Sequence, residues 1–328
     1  MSDSLRVAVV GAGHMGRFHA QAIAERGDAR LTAVCDVNPE RARAVADEHG
    51  AEAVTDIADL AGRVDAAVVA ASTSAHEAVA TTLAEHGTPM LIEKPLAGTA
   101  AEARRIAETV RRAGVLVQVG HILRFDPATR AVAGRDLHPK YIEVLWVSPF
   151  PFRSLDTGVV MDVMIHGLDV VLGLVGEEPE RVDAVGGVVV GPHEDFVSAR
   201  LAFPGGCVAH VSASRMSRGQ KRVVRVFAEG AYLKMDYDER RVEVVSPNPD
   251  LHRRLEQGTL AGAGMDALIT TETIPVQAEP DALRAQLAAF LDAVRTGAAP
   301  AVTLDDGVRA VELAERILAE VHGPGNDE

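Results

Sequence analysis

Residues 5–26, LRVAVVGAGHMGRFHAQAIAER, join a short apolar run to an amphipathic helix through a turn containing three glycines. An apolar run with no polar alternation reads as a strand covered on both faces. The unit then repeats. LTAVCDV (31–37), DAAVVAAS (65–72), PMLIEKP (89–95) and GVLVQVGH (114–121) are further runs of this kind. Between them lie the helical stretches PERARAVADEHG, SAHEAVATTLAEHG and TAAEARRIAETVRRAG. Buried strands that alternate with helices are satisfied by a parallel sheet with helices on both faces. Residues 1–121 are therefore expected to form a doubly wound, Rossmann-type α/β domain.

After residue 121 the pattern changes. YIEVLWVSPF (141–150) reads as a strand, and GVVMDVMIHGLDVVLGLVG (158–176) as a buried helix. RVDAVGGVVV, DFVSARLAF, CVAHVSAS, KRVVRVFAEG, AYLKMDY and RVEVVS then follow with tight turns, including PGG at 204–206 and EGA at 229–231. Successive strands joined by such turns predict a largely antiparallel sheet. Two helices, about 281–296 and 305–322, close the chain, whereas 248–275 has no clear period. Residues 122–328 are thus expected to form an α+β domain with an open sheet, ending in a disordered tail, GPGNDE.

Composition narrows the function. The chain has 328 residues, enough for two domains, and a net charge of −14, which disfavours nucleic acid and anionic membranes as partners. No apolar run approaches the roughly 20 residues needed to cross a bilayer, and the N-terminus lacks the pattern of a signal peptide. Only Cys35 and Cys207 are present, in no metal-like or CxxC spacing. No disulfide framework and no metal site are expected, and a reducing cytoplasm fits.

The chemistry concentrates at a few positions. Gly11, Ala12, Gly13, His14, Met15 and Gly16 form a G-x-G-x-x-G at a strand-to-helix junction. The first glycine permits the tight turn, the second a close approach of pyrophosphate, and the third close packing of helix on strand. The free N–H groups of the helix start suit that anion. His14 is then a spacer whose backbone does the binding. Asp36 lies 20 residues after Gly16, at the end of the second strand. A carboxylate there binds ribose hydroxyls and repels a 2′-phosphate, which favours NAD over NADP. Arg41 is a dissenting cation on the next helix. Glu93 and Lys94 end the strand PMLIEKP at the carboxyl edge of the sheet, where ligands bind in open α/β folds.

On the helix of 158–176, Asp162, His166 and Asp169 are spaced by four and three residues and share one face. An unpaired buried charge is costly, so a polar stripe on an apolar helix is a structural pair or part of a site. Imidazole has the intrinsic pKa to accept a hydroxyl proton near neutrality.

The G-x-G-x-x-G at 11, EKP at 93–95, GHILRFDP at 120–127 and the Asp-x-x-x-His of 162 and 166 together resemble the glucose–fructose oxidoreductase / inositol dehydrogenase / MocA (Gfo/Idh/MocA) family, over nearly the whole chain. The resemblance implies oxidation or reduction of a sugar or polyol hydroxyl with a nicotinamide cofactor, often in homodimers or homotetramers. It implies that Lys94, Asp162 and His166 are catalytic and contact the substrate. It also places the loop of Ser72, Thr73 and His76, with Glu93 and Lys94, against the cofactor. GHILRFDPA, SPFPFRSLDTGVVMDVMIHGLDVVLGLVG and ASRMSRGQKRVVRVFAEGAYLKMDY resemble the branch that dehydrogenates UDP-N-acetylglucosamine at C3. That branch often reads IHDID where this chain has IHGLD, a departure at Gly167.

The proton acceptor is Lys94 or His166, and Lys94 can stabilise the developing alkoxide. Asp162 can orient the imidazole or hold the reacting hydroxyl. Asp169 is a partner of these groups or purely structural. Arg124 can bind a substrate phosphate or bridge the domains with His121. Arg215, Arg218, Lys221 and Arg222 suit a pyrophosphate, or protect strand edges. A free-sugar or inositol dehydrogenase and a non-catalytic NAD-binding sensor are the alternatives.

Overall fold

The computed structural model describes residues 4–135, 137–150, 157–259, 264–276 and 280–323. The chain forms two compact units, Met1–Phe125 with Pro280–Glu315 and Asp126–Glu279 with Arg316–Glu328.

The first unit holds a six-stranded sheet of β1 (Leu5–Val10), β2 (Ala29–Cys35), β3 (Glu52–Val54), β4 (Ala66–Val69), β5 (Met90–Glu93) and β6 (Val117–Gly120). All pairs are parallel, and the order is β3-β2-β1-β4-β5-β6. Connecting helices are α1 (His14–Ala24), α2 (Pro39–His49), α3 (His76–Glu85) and α4 (Ala100–Ala113). Their ends follow local rules. Asn38 accepts the Glu40 and Arg41 N–H groups at the start of α2, and Thr99 and Glu102 form a capping box on α4. Both faces of β1 are buried, Val7 and Val9 in one core and Ala8 and Val10 in the other. That is why the strand is apolar without alternation.

One boundary differs from the sequence expectation. The closing helix α8 (Ala282–Thr296) was assigned with 122–328, but Leu287, Phe290 and Leu291 pack with Val7, Val9 and Ile23 in the core of the first unit. Each such burial contributes about 1.5–3 kcal/mol. The apolar stripe of α8 covers the sheet beside α1. The buried Gln118 amide also donates to the Gln286 carbonyl at 3.0 Å. The last helix, α9 (Leu304–Val321), follows it.

The second unit carries α5 (Pro127–Val132), β7 (Pro139–Val147), α6 (Ile165–Val175), β8 (Arg181–Gly187), β9 (Phe196–Ala202), β10 (Val208–Ser214), β11 (Lys221–Ala228), β12 (Ala231–Asp236), β13 (Arg241–Pro247), α7 (Leu251–Glu256) and β14 (Ile269–Ile274). The eight strands run β14-β13-β12-β11-β7-β10-β9-β8, antiparallel except for β7 with β10. β14 comes from the stretch without a clear period. Its residues are largely exposed on an edge strand, so no burial pattern marks it. The tail of 324–328 lies outside the described residues. No described helix is long and apolar enough to cross a membrane.

The helix expected over 158–176 is not regular. A π-helical turn spans Val160–Met164, in which the Ile165 N–H reaches the Val160 carbonyl, and α6 follows. Gly176 ends it with φ of 75°.

Candidate active site

In the first unit, the loops that leave β1, β2, β4 and β5 carry the glycine turn, Asp36, Ser72–His76 and Glu93–Lys94. The topology places them at one edge of the sheet. Gly11 N–H donates to the Cys35 carbonyl at 2.7 Å, joining the first two loops. Gly11 has φ of 98°, and a Cβ there would lie 2.5 Å from Ala71 N. A Cβ on Gly16 would lie 1.8 Å from Gly11 O. At Gly13, by contrast, a Cβ would meet nothing within 4 Å, and no side chain caps α1. The backbone of Gly13, His14 and Met15 is thus open to an anion. His14 is exposed and packs edge-on against Phe18 at 4.7 Å, as a spacer would.

Asp36 is half-buried and fixed through both oxygens. Oδ2 accepts the Ala12 N–H at 2.7 Å, and Oδ1 accepts the Asn38 N–H at 2.8 Å. Each oxygen keeps acceptor capacity for a hydroxyl. An open turn for a pyrophosphate and an immobilised carboxylate 20 residues on fit a nicotinamide dinucleotide. Ser72 starts a short 3₁₀ turn at Thr73–Ala75, with Ser72 exposed and Thr73 half-buried. Arg41 is exposed on α2.

Lys94 is half-buried at the end of β5. A buried histidine with no evident role in the sequence supports this turn. His19, fully buried on α1, places Nε2 2.7 Å from Glu93 Oε1. The second oxygen of Glu93 accepts the Lys94 N–H at 3.2 Å. The His19–Glu93 pair therefore ties the helix of the glycine turn to the turn that carries Lys94. A signal for it existed: His19 falls on the buried stripe Gly16, His19, Ala20, Ile23 of α1. His76 is buried as well. Its Nδ1 lies 3.1 and 3.2 Å from the Pro95 and Leu96 carbonyls, and its Nε2 3.2 Å from the Ala71 carbonyl. Burial pushes its pKa below the ordinary imidazole value, against the opposing effect of these carbonyls. Its ring ties the Ser72–Thr73 loop to the Lys94 turn.

In the second unit, Asp162 lies in the π turn and His166 in the first turn of α6. Both are half-buried, whereas Asp169 is buried. The Trp146 indole lies alongside His166, with ring centroids 6.3 Å apart and planes 23° from parallel. Tyr237 packs on Trp146 at 5.3 Å, and the Arg222 guanidinium stands 6.0 Å above the indole. The Tyr237 hydroxyl bonds the Thr129 hydroxyl at 2.9 Å, and burial drives its pKa far above the ordinary phenol value. Trp146 and Tyr237 were not singled out in the sequence because buried aromatics usually signal only a core.

Three of the four basic positions at 215–222 are engaged in ion pairs. Arg215 is fully buried and bonds Asp195 at 2.7 Å. Lys221 pairs with Asp236 at 2.8 Å, and Arg222 with Asp238 at 3.3 Å. Arg218 is exposed. Arg124, in the first unit, lies 3.5 Å from Asp306, whose other oxygen accepts from Thr303 N and Oγ1 at 2.8 Å. His121 is buried at the end of β6. Among the described residues no group of three or more His, Cys, Asp and Glu could hold a metal ion.

Comparison with known proteins agrees with both units. Residues 5–121 match the family model of an oxidoreductase family with an NAD-binding Rossmann fold, and residues 140–234 match the GFO/IDH/MocA C-terminal domain. UDP-N-acetylglucosamine 3-dehydrogenase of Acidithiobacillus ferrooxidans is 35% identical over 96% of this chain and 94% of that protein. Inositol 2-dehydrogenase 1 of Saccharopolyspora erythraea is also 35% identical, over 96% of this chain and 93% of its own length. A solved structure of the Acidithiobacillus enzyme superposes with a TM-score of 0.86 at 32% identity, covering 97% of this chain and 98% of that one.

Proposed function

The chain belongs to the GFO/IDH/MocA oxidoreductase family, NAD-binding dehydrogenases that act on sugar and polyol hydroxyls, and on that premise we propose that it oxidises C3 of a UDP-N-acetylhexosamine with NAD. The observation that carries the reading is the fixed edge of the first unit, where the open glycine turn, the immobilised Asp36 and the Lys94 turn converge. When bound, the nicotinamide supplies the hydride acceptor. Gly13, His14 and Met15 bind the pyrophosphate through their backbone, with Gly11, Ala12 and Gly16 shaping the turn. Asp36 takes the adenosine ribose hydroxyls and excludes a 2′-phosphate. Ser72 and Thr73 border the nicotinamide ribose, held in place by His76.

Lys94, Asp162 and His166 supply the chemistry. His166 accepts the proton of the substrate hydroxyl, because imidazole titrates near neutrality. Asp162, one turn earlier, orients the imidazole. Lys94 stabilises the alkoxide as the hydride departs. Glu93 and His19 hold the Lys94 turn, and Arg124 borders the substrate.

Similarity to the Acidithiobacillus enzyme over nearly the full length supports the nucleotide-sugar substrate. Equal identity to the Saccharopolyspora inositol dehydrogenase supports the second reading, a polyol. Incubation of the purified protein and NAD with nucleotide sugars, inositols and free aldoses, followed by NADH absorbance, separates them. NADH formation only with inositols would refute the first. Two buried free cysteines suit a cytoplasmic setting. Leu145, Val185, Phe196 and Phe227 share one face of the eight-stranded sheet and are exposed, which supports a homodimer or homotetramer.

A further inference from the structure

The segment that carries Asp162 and His166 does not cap itself. Val159 stands at the N-cap of the π turn and has no side chain that can accept the free N–H groups. The acceptors come instead from the residues just before β9. Glu194, only 3% exposed, takes the Val160 N–H on Oε1 at 3.0 Å. Its carbonyl takes the Val159 N–H, also at 3.0 Å. The next residue, Asp195, holds Arg215 through Oδ1 at 2.7 Å, and Arg215 Nη1 donates to the Thr157 carbonyl at 2.8 Å.

Asp195 is itself fixed. Its Oδ2 accepts the N–H groups of Val189, Val190 and Gly191 at 2.7, 2.6 and 3.0 Å. Three hydrogen bonds from one rigid corner therefore hold three backbone groups within residues 157–160. The π turn starts at once, and Asp162 is its third residue. Single π turns are rare, and they concentrate at functional sites. A buried arginine–aspartate pair is weak evidence for stability, since apolar side chains of similar volume often do as well.

We infer that Glu194, Asp195 and Arg215 are positioning residues that set where the helix of 158–176 begins, and so the pose of Asp162 and His166. Arg215 belongs to this clamp, which removes it from the candidates for substrate phosphate. The inference rests on the reading of His166 as the base.

Two variants of Glu194 separate reach from charge. Glu194→Gln keeps the reach of the accepting oxygen and loses the charge. Glu194→Asp keeps the charge and is one methylene too short to reach the Val160 N–H. The clamp predicts near wild-type turnover for Glu194→Gln. For Glu194→Asp it predicts kcat lower by about 10- to 100-fold, the scale of an ångström-sized misplacement. The Kd for NAD should hold, and the acid limb of the kcat profile should be displaced. Rates are taken per folded molecule, with melting temperatures from the same preparations. Wild-type behaviour of Glu194→Asp, equal loss in both variants, or a loss that tracks melting temperature with the limb in place would overturn the inference. His166→Asn runs beside them. If it keeps both turnover and the limb, the His166 reading falls, and the inference with it. If it loses both while Glu194→Asp does not, only the inference falls.

Discussion

Gly167 follows His166 directly, and replacing it with alanine tests how closely the helix of the site is pressed onto its sheet. A Cβ at 167 would lie 2.7 Å from Val144 Cγ1 and 3.5 Å from Val211 Cγ1. Both valines are buried in the middle of β7 and β10. Valine is stiff about χ1, so Cγ1 has little room to retreat. In an unencumbered helix interior, Gly→Ala stabilises by about 1 kcal/mol. Overpacking of a filled core costs about 1–3 kcal/mol. The sum is a loss of roughly 0–2 kcal/mol where propensity alone predicts a gain. The helix must also lift from the sheet, carrying His166 with it, so kcat should fall about tenfold or more.

Urea unfolding of Gly167→Ala, Val144→Ala and the double variant isolates the contact. Removal of the Val144 methyl groups makes room for the new Cβ, so the double variant should be more stable than the sum of the single effects by about 1–3 kcal/mol. Additivity within about 0.5 kcal/mol, or a Gly167→Ala enzyme that is both more stable and fully active, would refute the reasoning. An aspartate at this position, as in the IHDID pattern, would meet the same wall.

Lys94→Ala is expected to reduce turnover by roughly 10²-fold or more while NAD binding, measured by titration calorimetry, stays near wild type; a turnover within twofold, by the same measurement of rate, would make Lys94 structural. Asp36→Ala should narrow the preference for NAD over NADP, and a wild-type enzyme that prefers NADP would end the ribose role of Asp36. His76 has a lowered folded-state pKa, so the unfolded chain binds the extra proton more readily. The stability that neutral His76 contributes is therefore intact above about pH 6.5 and is lost as pH falls below it toward the folded value. His76→Gln should lose less stability than wild type between neutral and mildly acidic pH in urea titrations, and identical losses would count against the assignment.

The parallel half of the fold was legible because strands buried on both faces leave unbroken apolar runs, as β1 and β4 do. The glycine turn and Asp36 were legible because their spacing is imposed by one strand–helix–strand unit. Other features were not. β14 is an exposed edge strand, so ITTETI carries no pattern of burial. The attachment of α8 to the first unit depends on which sheet its apolar stripe covers, a choice that helical periodicity cannot express. His19 meets Glu93 across 74 positions of sequence, and the partner that makes its burial meaningful lies on another element. The basic run at 215–222 is similar: Arg215, Lys221 and Arg222 meet Asp195, Asp236 and Asp238, which lie on separate segments. The π turn lies beyond sequence pattern altogether, because its capping groups are on Glu194.

The most direct test follows one hydrogen atom. UDP-N-acetylglucosamine carrying deuterium at C3 is incubated with the purified protein and NAD, and the NADH formed is examined by mass spectrometry. Hydride transfer from C3 predicts NADH carrying one deuterium, formed in step with a 3-keto nucleotide sugar. Unlabelled NADH, or none at all under conditions where NAD binds, would contradict the account.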